Sequence, residues 1–424
     1  MKTCAIVGVN WGDEGKGRMV DLLASEYDII VRYQGGNNAG HTIVNSYGKF
    51  ALNLLPSGIF RPEKMNILGN GTVIDIKHLC GEIERVRSAG VKISPENLAI
   101  SDRAIIVMPY HVALDGLEEN RLAGKQYGST RRGIAPSYGD KFTKKALMMG
   151  ELLDREYLVE HLSGILEYKN LMISKVYEDK PFSMREMIDY LDTYGAILKP
   201  YIKDTGAYLR NAARSGKSIM YEAQLGALRD IDFGIYPYTS SSSPLAAYAP
   251  IGSGTPGIPV NRVIGIVKAY STCVGEGPFV AEWFGDDAEA LRLAGGEYGA
   301  ATGRPRRVGP IDIVATRYGA IMQGATEIAL TKLDVLAYMK EIPICTAYDI
   351  DGEITEDFPF PSRLSRARPI IKNMKGWECD VSAIRRYEDL PIEAREYVEY
   401  IESAIGCRIS YVSVGAGRDE IIVR

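Results

Sequence analysis

Residues 8–18, GVNWGDEGKGR, place an aspartate, a glutamate and a lysine inside a glycine-rich turn. A strand that ends in such a turn and opens a helix presents backbone N–H groups and a positive dipole to phosphate. Lys16 would add a point charge beside the phosphates. The segment departs from the GxxxxGK[ST] pattern: Asn10 takes the first glycine position, and Gly17 stands where a magnesium-binding hydroxyl belongs. A metal held here needs another ligand, and Asp13 is the candidate. An acid inside an anion-binding loop is costly unless it binds a cation or handles a proton. The bland alternative is an ordinary strand-to-helix turn, against which Gly12, Gly15 and Gly17 framing Asp13 and Lys16 argue.

Three further segments carry chemistry. YQGGNNAGHT, residues 33–42, is a loop rich in backbone donors and amides, and its His41 has the type to meet a phosphate or serve as an acid. A histidine in a plain turn would read the same. LTKLDVL, residues 330–336, resembles the guanine-reading tetrad of GTP-binding proteins, in which a carboxylate accepts both N–H donors of guanine. Adenine offers the opposite pattern, so Asp334 argues for GTP over ATP. YGAATGRPRRVG, residues 298–309, sets Thr302, Arg304 and Arg306 among glycines, a shaped loop able to close over a dicarboxylate or phosphate. A solvated charge run is the alternative there.

Composition narrows the partners. The net charge is −4 with 25% charged residues, which gives no basic surface for a nucleic-acid backbone. No apolar run is long enough for a membrane span. The N-terminus enters a strand pattern directly, so a cytoplasmic protein is expected. Six cysteines and four histidines show no zinc spacing.

The elements that must position these groups alternate between strand and helix. Apolar runs predict strands at Cys4–Val9, Ile29–Tyr33, Met65–Leu68, Ile219–Tyr221, Val263–Ala269, Ile328–Thr331, Ile342–Ala347 and Ile409–Val414. Continuous apolar strands fit a mostly parallel central sheet covered by helices on both faces, an α/β fold with a P-loop-like phosphate loop. From about 150 to 215 the pattern turns helical, with Leu158, Leu162 and Ile165 on one face and Met184, Met187, Ile188, Leu191 and Leu198 on another. Ser183 and Glu186 have capping-box spacing. One domain, 1–424, with this helical insertion is the preferred organisation. A two-domain split near 150 and 215 stays open.

Taken together and in order, WGDEGKG, RYQGGNNAGHT, KAYSTCVGEGPF, GRPRR and TKLDVL are similar to the signature segments of adenylosuccinate synthetases, with YHVALD, IDFGIYPY and the terminal VSVGAGR extending the likeness over the whole chain. The resemblance implies a Mg²⁺-dependent ligase that joins aspartate to inosine monophosphate (IMP) with GTP, through a 6-phosphoryl intermediate. It implies Asp13 as base and metal ligand, His41 at the oxygen bridging to departing GDP, and the Gly40 carbonyl on the metal. It assigns Gly12, Glu14, Gly15, Lys16, Gly17, Lys332, Asp334, Ser413 and Gly415 to GTP. Asn38, Thr130, Lys144, Gln224 or Leu225, Ser240 and Arg304 fall to IMP. Val274, Thr302, Arg304 and Arg306 fall to aspartate. A homodimer is implied, with a basic residue crossing to the neighbour's nucleotide.

The chain also departs from the family's pattern. Lys144 stands for an arginine, and Glu222-Ala223-Gln224-Leu225-Gly226 for Glu-Gly-Ala-Gln-Gly. Ala301 and Arg131 replace a threonine and a glycine, and Ser240 replaces a threonine. Two other readings therefore remain: the same chemistry on a related purine nucleotide or another amino acid, or a non-catalytic GTP-binding protein.

Overall fold

The first strand, β1 (Thr3–Gly8), is buried at all six residues, as a strand covered on both faces must be. In the computed structural model, which describes residues 1–299 and 303–424, it lies within a ten-stranded sheet. The other strands are β2 (Ile29–Arg32), β3 (Met65–Leu68), β4 (Leu98–Ser101), β5 (Ile202–Lys203), β6 (Ile219–Gly226), β7 (Arg262–Lys268), β8 (Glu327–Thr331), β9 (Ile409–Ser413) and β10 (Ile421–Val423). Their order across the sheet is β10-β9-β8-β7-β1-β6-β2-β3-β4-β5. All neighbours are parallel except β9 and β10. The α/β class with a large, mostly parallel sheet is borne out.

One expected strand sits elsewhere. The run at 342–347 belongs to Glu341–Ile350, which pairs antiparallel with Ala367–Lys375 in a separate four-stranded sheet. Ala367–Lys375 is largely exposed, and only an antiparallel arrangement leaves a face to water in this way. The strands β4, β5 and β10 are additional to those expected, and in β5 and β10 two and three residues give too little period to read.

The helical stretch is present as Arg155–Lys175, Met184–Leu198 and Thr205–Arg214. Leu158, Leu162 and Ile165 are buried on the first of these, and Met187, Leu191 and Leu198 on the second. Helical structure starts earlier than expected, with Pro109–Arg121 and Ile134–Thr143. The segment returns to the sheet through β5, which pairs with β4. Leu162, Leu191 and Leu198 share one apolar cluster with Leu68, Ile100 and Ile106 of the sheet region.

Because β1, β2, β6, β7, β8 and β9 run parallel, the chain leaves all six at one edge. It steps from β1 to β2 on one side and later takes up β7 on the other, which opens a crevice at the carboxyl end of β1.

The capping box closes as spaced: the Ser183 hydroxyl accepts from the Glu186 N–H, and Glu186 Oε2 accepts the Ser183 N–H at 2.8 Å. Ser183→Ala is expected to cost about 1 kcal/mol, read as a lower denaturant midpoint. An unchanged midpoint would mean the box does not hold the helix in solution.

Candidate functional site

The loop after β1 is built around an inward-facing acid. Gly12, Asp13 and Gly15 have φ of 109°, 60° and 104°, a region that costs a non-glycine residue on the order of 1–3 kcal/mol. Asp13 is held there by its neighbour. Glu14 is buried, and its Oε1 accepts the N–H groups of Asn10 (3.2 Å) and Gly12 (2.8 Å). Its Oε2 accepts from Lys16 Nζ at 2.8 Å, so Lys16 lies buried at the floor of the loop. Thr331 Oγ1 donates to the Glu14 carbonyl at 2.8 Å and ties the loop to the end of β8. Gly8 is required by close approach, since a Cβ there would stand 2.3 Å from the Leu225 carbonyl oxygen.

Gly17 replaces the expected hydroxyl for a steric reason: a Cβ on Gly17 would lie 2.7 Å from Cβ of His41. His41 thus occupies the space of a side chain on the loop's own helix, Lys16–Leu23. Its Nδ1 hydrogen-bonds to Glu222 on β6, and Glu222 also accepts from the Ser57 N–H at 2.7 Å and hydroxyl at 2.6 Å. Nε2 of His41 is buried without a partner among the described residues. Burial lowers the imidazole pKa and outweighs the pull of Glu222. Burial would raise the Glu222 carboxyl, but His41, Arg32 and Ser57 hold it below the usual range. The pair is therefore a neutral imidazole donating from Nδ1 to a carboxylate.

Gln224, two residues on, braces the neighbouring loop. Its Nε2 donates to the carbonyls of Gly36 (2.9 Å) and Ala39 (2.8 Å), and its Oε1 accepts the Gly36 N–H at 3.1 Å. That loop carries Asn38 and Gly40. Leu225 follows at φ 64° and is half-buried, its backbone against Gly8 and Gly12. Gln224 and Leu225 thus divide two tasks: an amide engaged with backbone, and an apolar side chain beside the phosphate loop.

On the far side of β1 stand the groups expected to read the base. Lys332 and Asp334 follow β8, and Asp334 Oδ1 is buried without a partner among the described residues. Burial raises the Asp334 carboxyl. Arg18 NH1 donates to Ser413 Oγ (2.6 Å) and the Gly415 carbonyl (2.5 Å), joining the phosphate-loop helix to the turn after β9. Arg306 reaches Asp13 Oδ2 at 3.1 Å. Val274 is 54% exposed, and its carbonyl accepts from Arg229 NH2 at 2.5 Å.

The remaining positions lie outward. Thr130 and Lys144 are exposed, and Lys144 caps Ile134–Thr143 at φ 62°. Arg131 sits at φ 54° with NH2 on Asn120 Oδ1 at 2.9 Å. The Ser240 N–H donates to the Arg229 carbonyl at 2.9 Å; its hydroxyl lies 3.3 Å from that of Ser242. Arg304 is exposed. Thr302 and Ala301 lie outside the described residues.

The sequence reading gave no role to Glu222, Arg18 or Glu297. For Glu222 a signal existed: a carboxylate inside the apolar strand IMYEAQLG demands a buried partner. Arg18 offered none, because its partners lie some 395 residues away.

His41 is expected to titrate below the ordinary value of 6.5. Glu222→Gln removes the carboxylate that favours the charged ring and should lower it further, followed by NMR of the imidazole. An unchanged or raised value would contradict the pairing.

Comparison with known proteins fits this geometry. A family model described as adenylosuccinate synthetase matches residues 5–422. The adenylosuccinate synthetase of Caldanaerobacter subterraneus subsp. tengcongensis is 44% identical over 424 residues, covering 100% of this chain and 99% of its own length. That of Brevibacillus brevis is 43% identical over 424 residues, again covering 100% of this chain and 99% of its own. The solved structure of fully ligated adenylosuccinate synthetase from Plasmodium falciparum superposes with a TM-score of 0.92 at 33% identity, covering 100% of both chains. With the family model spanning nearly every residue and relatives matching end to end, this chain belongs to the adenylosuccinate synthetase family.

Proposed function

We propose that the chain carries out its family's reaction, joining L-aspartate to IMP with GTP to give adenylosuccinate, GDP and phosphate. The observation that carries the reading is that Asp13, His41 and Asp334 all follow parallel strands at one sheet edge, with His41 Nε2 and Asp334 Oδ1 buried and unpartnered among the described residues and Asp13 paired with Arg306. Asp13 takes the N1 proton of the purine, and O6 attacks the γ-phosphorus of GTP. The O6–P bond forms while the bond to the GDP oxygen breaks. His41 Nε2 faces that departing oxygen; a polyphosphate beside the ring favours its charged form, so the neutral imidazole becomes a donor once GTP is bound. The amine of aspartate then attacks C6, the C6–O bond breaks, and phosphate leaves with the electron pair as the amine loses a proton. Positioning and charge stabilisation supply most of the acceleration in such transfers.

Mg²⁺ fits what these residues offer. Among the described residues no three His, Cys, Asp or Glu side chains group to cage a metal, and Mg²⁺ asks for only one or two carboxylates, with water and substrate phosphate completing its shell. Asp13 and the Gly40 carbonyl would hold it, and the ion would neutralise charge on the phosphates. Lys16 and Gly12–Gly17 then serve GTP phosphates, Lys332, Asp334 and the Ser413–Gly415 turn the guanine. Asn38, Thr130 and Ser240 serve IMP. Val274, Thr302, Arg304 and Arg306 serve aspartate, with Arg304 also near the nucleotide. The chain works as one domain and as a homodimer, in which exposed Lys144 reaches the neighbour's nucleotide. No described helix is long and apolar enough to cross a membrane, and a cytoplasmic setting suits the substrates.

One observation favours a second reading, the same chemistry on a related purine nucleotide. With the Gln224 amide engaged on Gly36 and Ala39, position 225 presents leucine rather than an amide to the acceptor. Phosphate release from GTP, with Mg²⁺, IMP and aspartate each omitted in turn, separates the readings. Release that needs all of them, with adenylosuccinate formed, supports the first; release only with another purine nucleotide supports the second. Absence of turnover with every acceptor would leave a binding protein, a role that needs neither Asp13 nor His41.

Two substitutions test the assigned roles. Asp13→Ala should lower kcat by at least 10²-fold, the lower range of general base catalysis, without loss of fold; retention of about a tenth of the activity would remove Asp13 from the base role. Asp334→Asn should raise KM for GTP strongly and relax the preference over ATP. Unaltered selectivity would make the strand end merely structural.

A further inference from the structure

Glu297 lies in the GGEYG segment that leads into the arginine loop, and it is fully buried. A buried carboxylate persists only when donors or cations answer its oxygens. Four side chains do so. Oε1 accepts from Lys268 Nζ (2.8 Å), Lys332 Nζ (2.8 Å) and Tyr270 OH (2.5 Å), and Oε2 from Arg306 NH1 (2.6 Å). Three are cations brought from separate places: the end of β7, the residue after β8, and the loop before residue 307. Lys332 stands two residues before Asp334, on the guanine side. Arg306 spans from Glu297 to Asp13 Oδ2, on the amino-acid and phosphoryl side. Burial first, with Lys332 and Arg306 adding to it, brings the Lys268 pKa down to about 8 even with Glu297 in contact.

We infer that Glu297 is a positioning residue that couples the two halves of the site, so that bound amino acid tightens binding of the guanine nucleotide and the reverse. The inference rests on the GTP-dependent ligase reading above. One carboxylate is shared by cations that serve different ligands. An amino acid whose carboxylates draw Arg306 toward them loosens that arginine's hold on Oε2. The charge of Glu297 then falls more fully on Lys332, which is already anchored by the Gly295 carbonyl at 2.6 Å. Lys332 becomes fixed where the base must meet it, and the nucleotide no longer has to order it. Thermodynamic linkage makes the effect reciprocal.

The test uses the full chain with Mg²⁺ and IMP, under which GDP and L-aspartate bind without turnover. Calorimetric titration should give a GDP Kd about fivefold lower or more when aspartate is saturating, at the low end of ordinary coupling. In Glu297→Gln, where shape is kept and charge is lost, the ratio should fall to near one, with KM for GTP and for aspartate both raised and KM for IMP little changed. Glu297→Asp keeps the charge on a shorter stem and should give an intermediate ratio. A wild-type ratio of one overturns the inference. So does a folded Glu297→Gln with the wild-type ratio, or one whose only defects are a lower active fraction and melting temperature. If Glu297→Gln does not fold, Glu297→Asp decides, and an undiminished ratio overturns the inference. A wild-type chain that binds GDP no better than ADP would instead count against the ligase reading itself.

Discussion

Parallel pairing is the constraint on which this site depends. A parallel strand cannot be joined to its neighbour by a tight turn, so each must end at one edge and be carried back by a crossover. In this chain that sends the segments after β1, β2, β6, β7, β8 and β9 to a common rim. Residues 13, 41, 222, 306 and 334, spread over most of the sequence, meet there because no other edge is available to them. The steric demands are correspondingly tight. Gly8 and Gly226 face one another across β1 and β6, and a Cβ on either would strike backbone, the Leu225 carbonyl at 2.3 Å or that of Asn10 at 2.4 Å.

Three buried carboxylates then hold the rim together. Glu14 gathers backbone N–H groups and Lys16, Glu222 gathers His41 and Ser57, and Glu297 gathers Lys268, Lys332, Tyr270 and Arg306. Each is compensated by several donors, the condition under which a buried charge is tolerated. Two polar atoms stand outside this bracing and are the ones proposed to meet ligands: Nε2 of His41 and Oδ1 of Asp334 are buried yet unpartnered among the described residues. Preorganisation of this kind places donors before charge develops, which is where enzymes gain most of their electrostatic stabilisation.

The positions proposed for the acceptor lie in different surroundings from those proposed for GTP. Where the phosphate and guanine groups are fixed by buried contacts, Thr130 and Lys144 are exposed, and Arg131 is turned toward Asn120. The Gln224 amide supports the loop of Asn38 and Gly40 instead of facing outward. A chain can tolerate change on a surface that a second subunit or a bound nucleotide completes more readily than in a packed network.

Much of this was legible in the residues themselves. The parallel sheet followed from largely apolar runs without polar alternation, such as Ile29–Tyr33 and Val263–Ala269, each broken by a single cation near its end, because a strand with two covered faces has no polar alternation to hide. The paired helices of the insertion followed from Leu158–Leu162–Ile165 and Met187–Leu191–Leu198 at helical spacing, and the Ser183–Glu186 cap from its own three-residue reach. These are local, and the chemistry of GDEGKG, Asp334 and His41 was likewise carried by residue type over a few positions. What the sequence could not decide was which distant groups answer one another. The pairing of Glu222 with His41, of Arg18 with Ser413, and of Glu297 with Lys268 and Lys332 crosses from about thirty to nearly four hundred residues, and strand order alone brings them within hydrogen-bond reach. The same holds for Gly17, whose missing side chain looks like a defect in a phosphate loop until the fold sets His41 in its place.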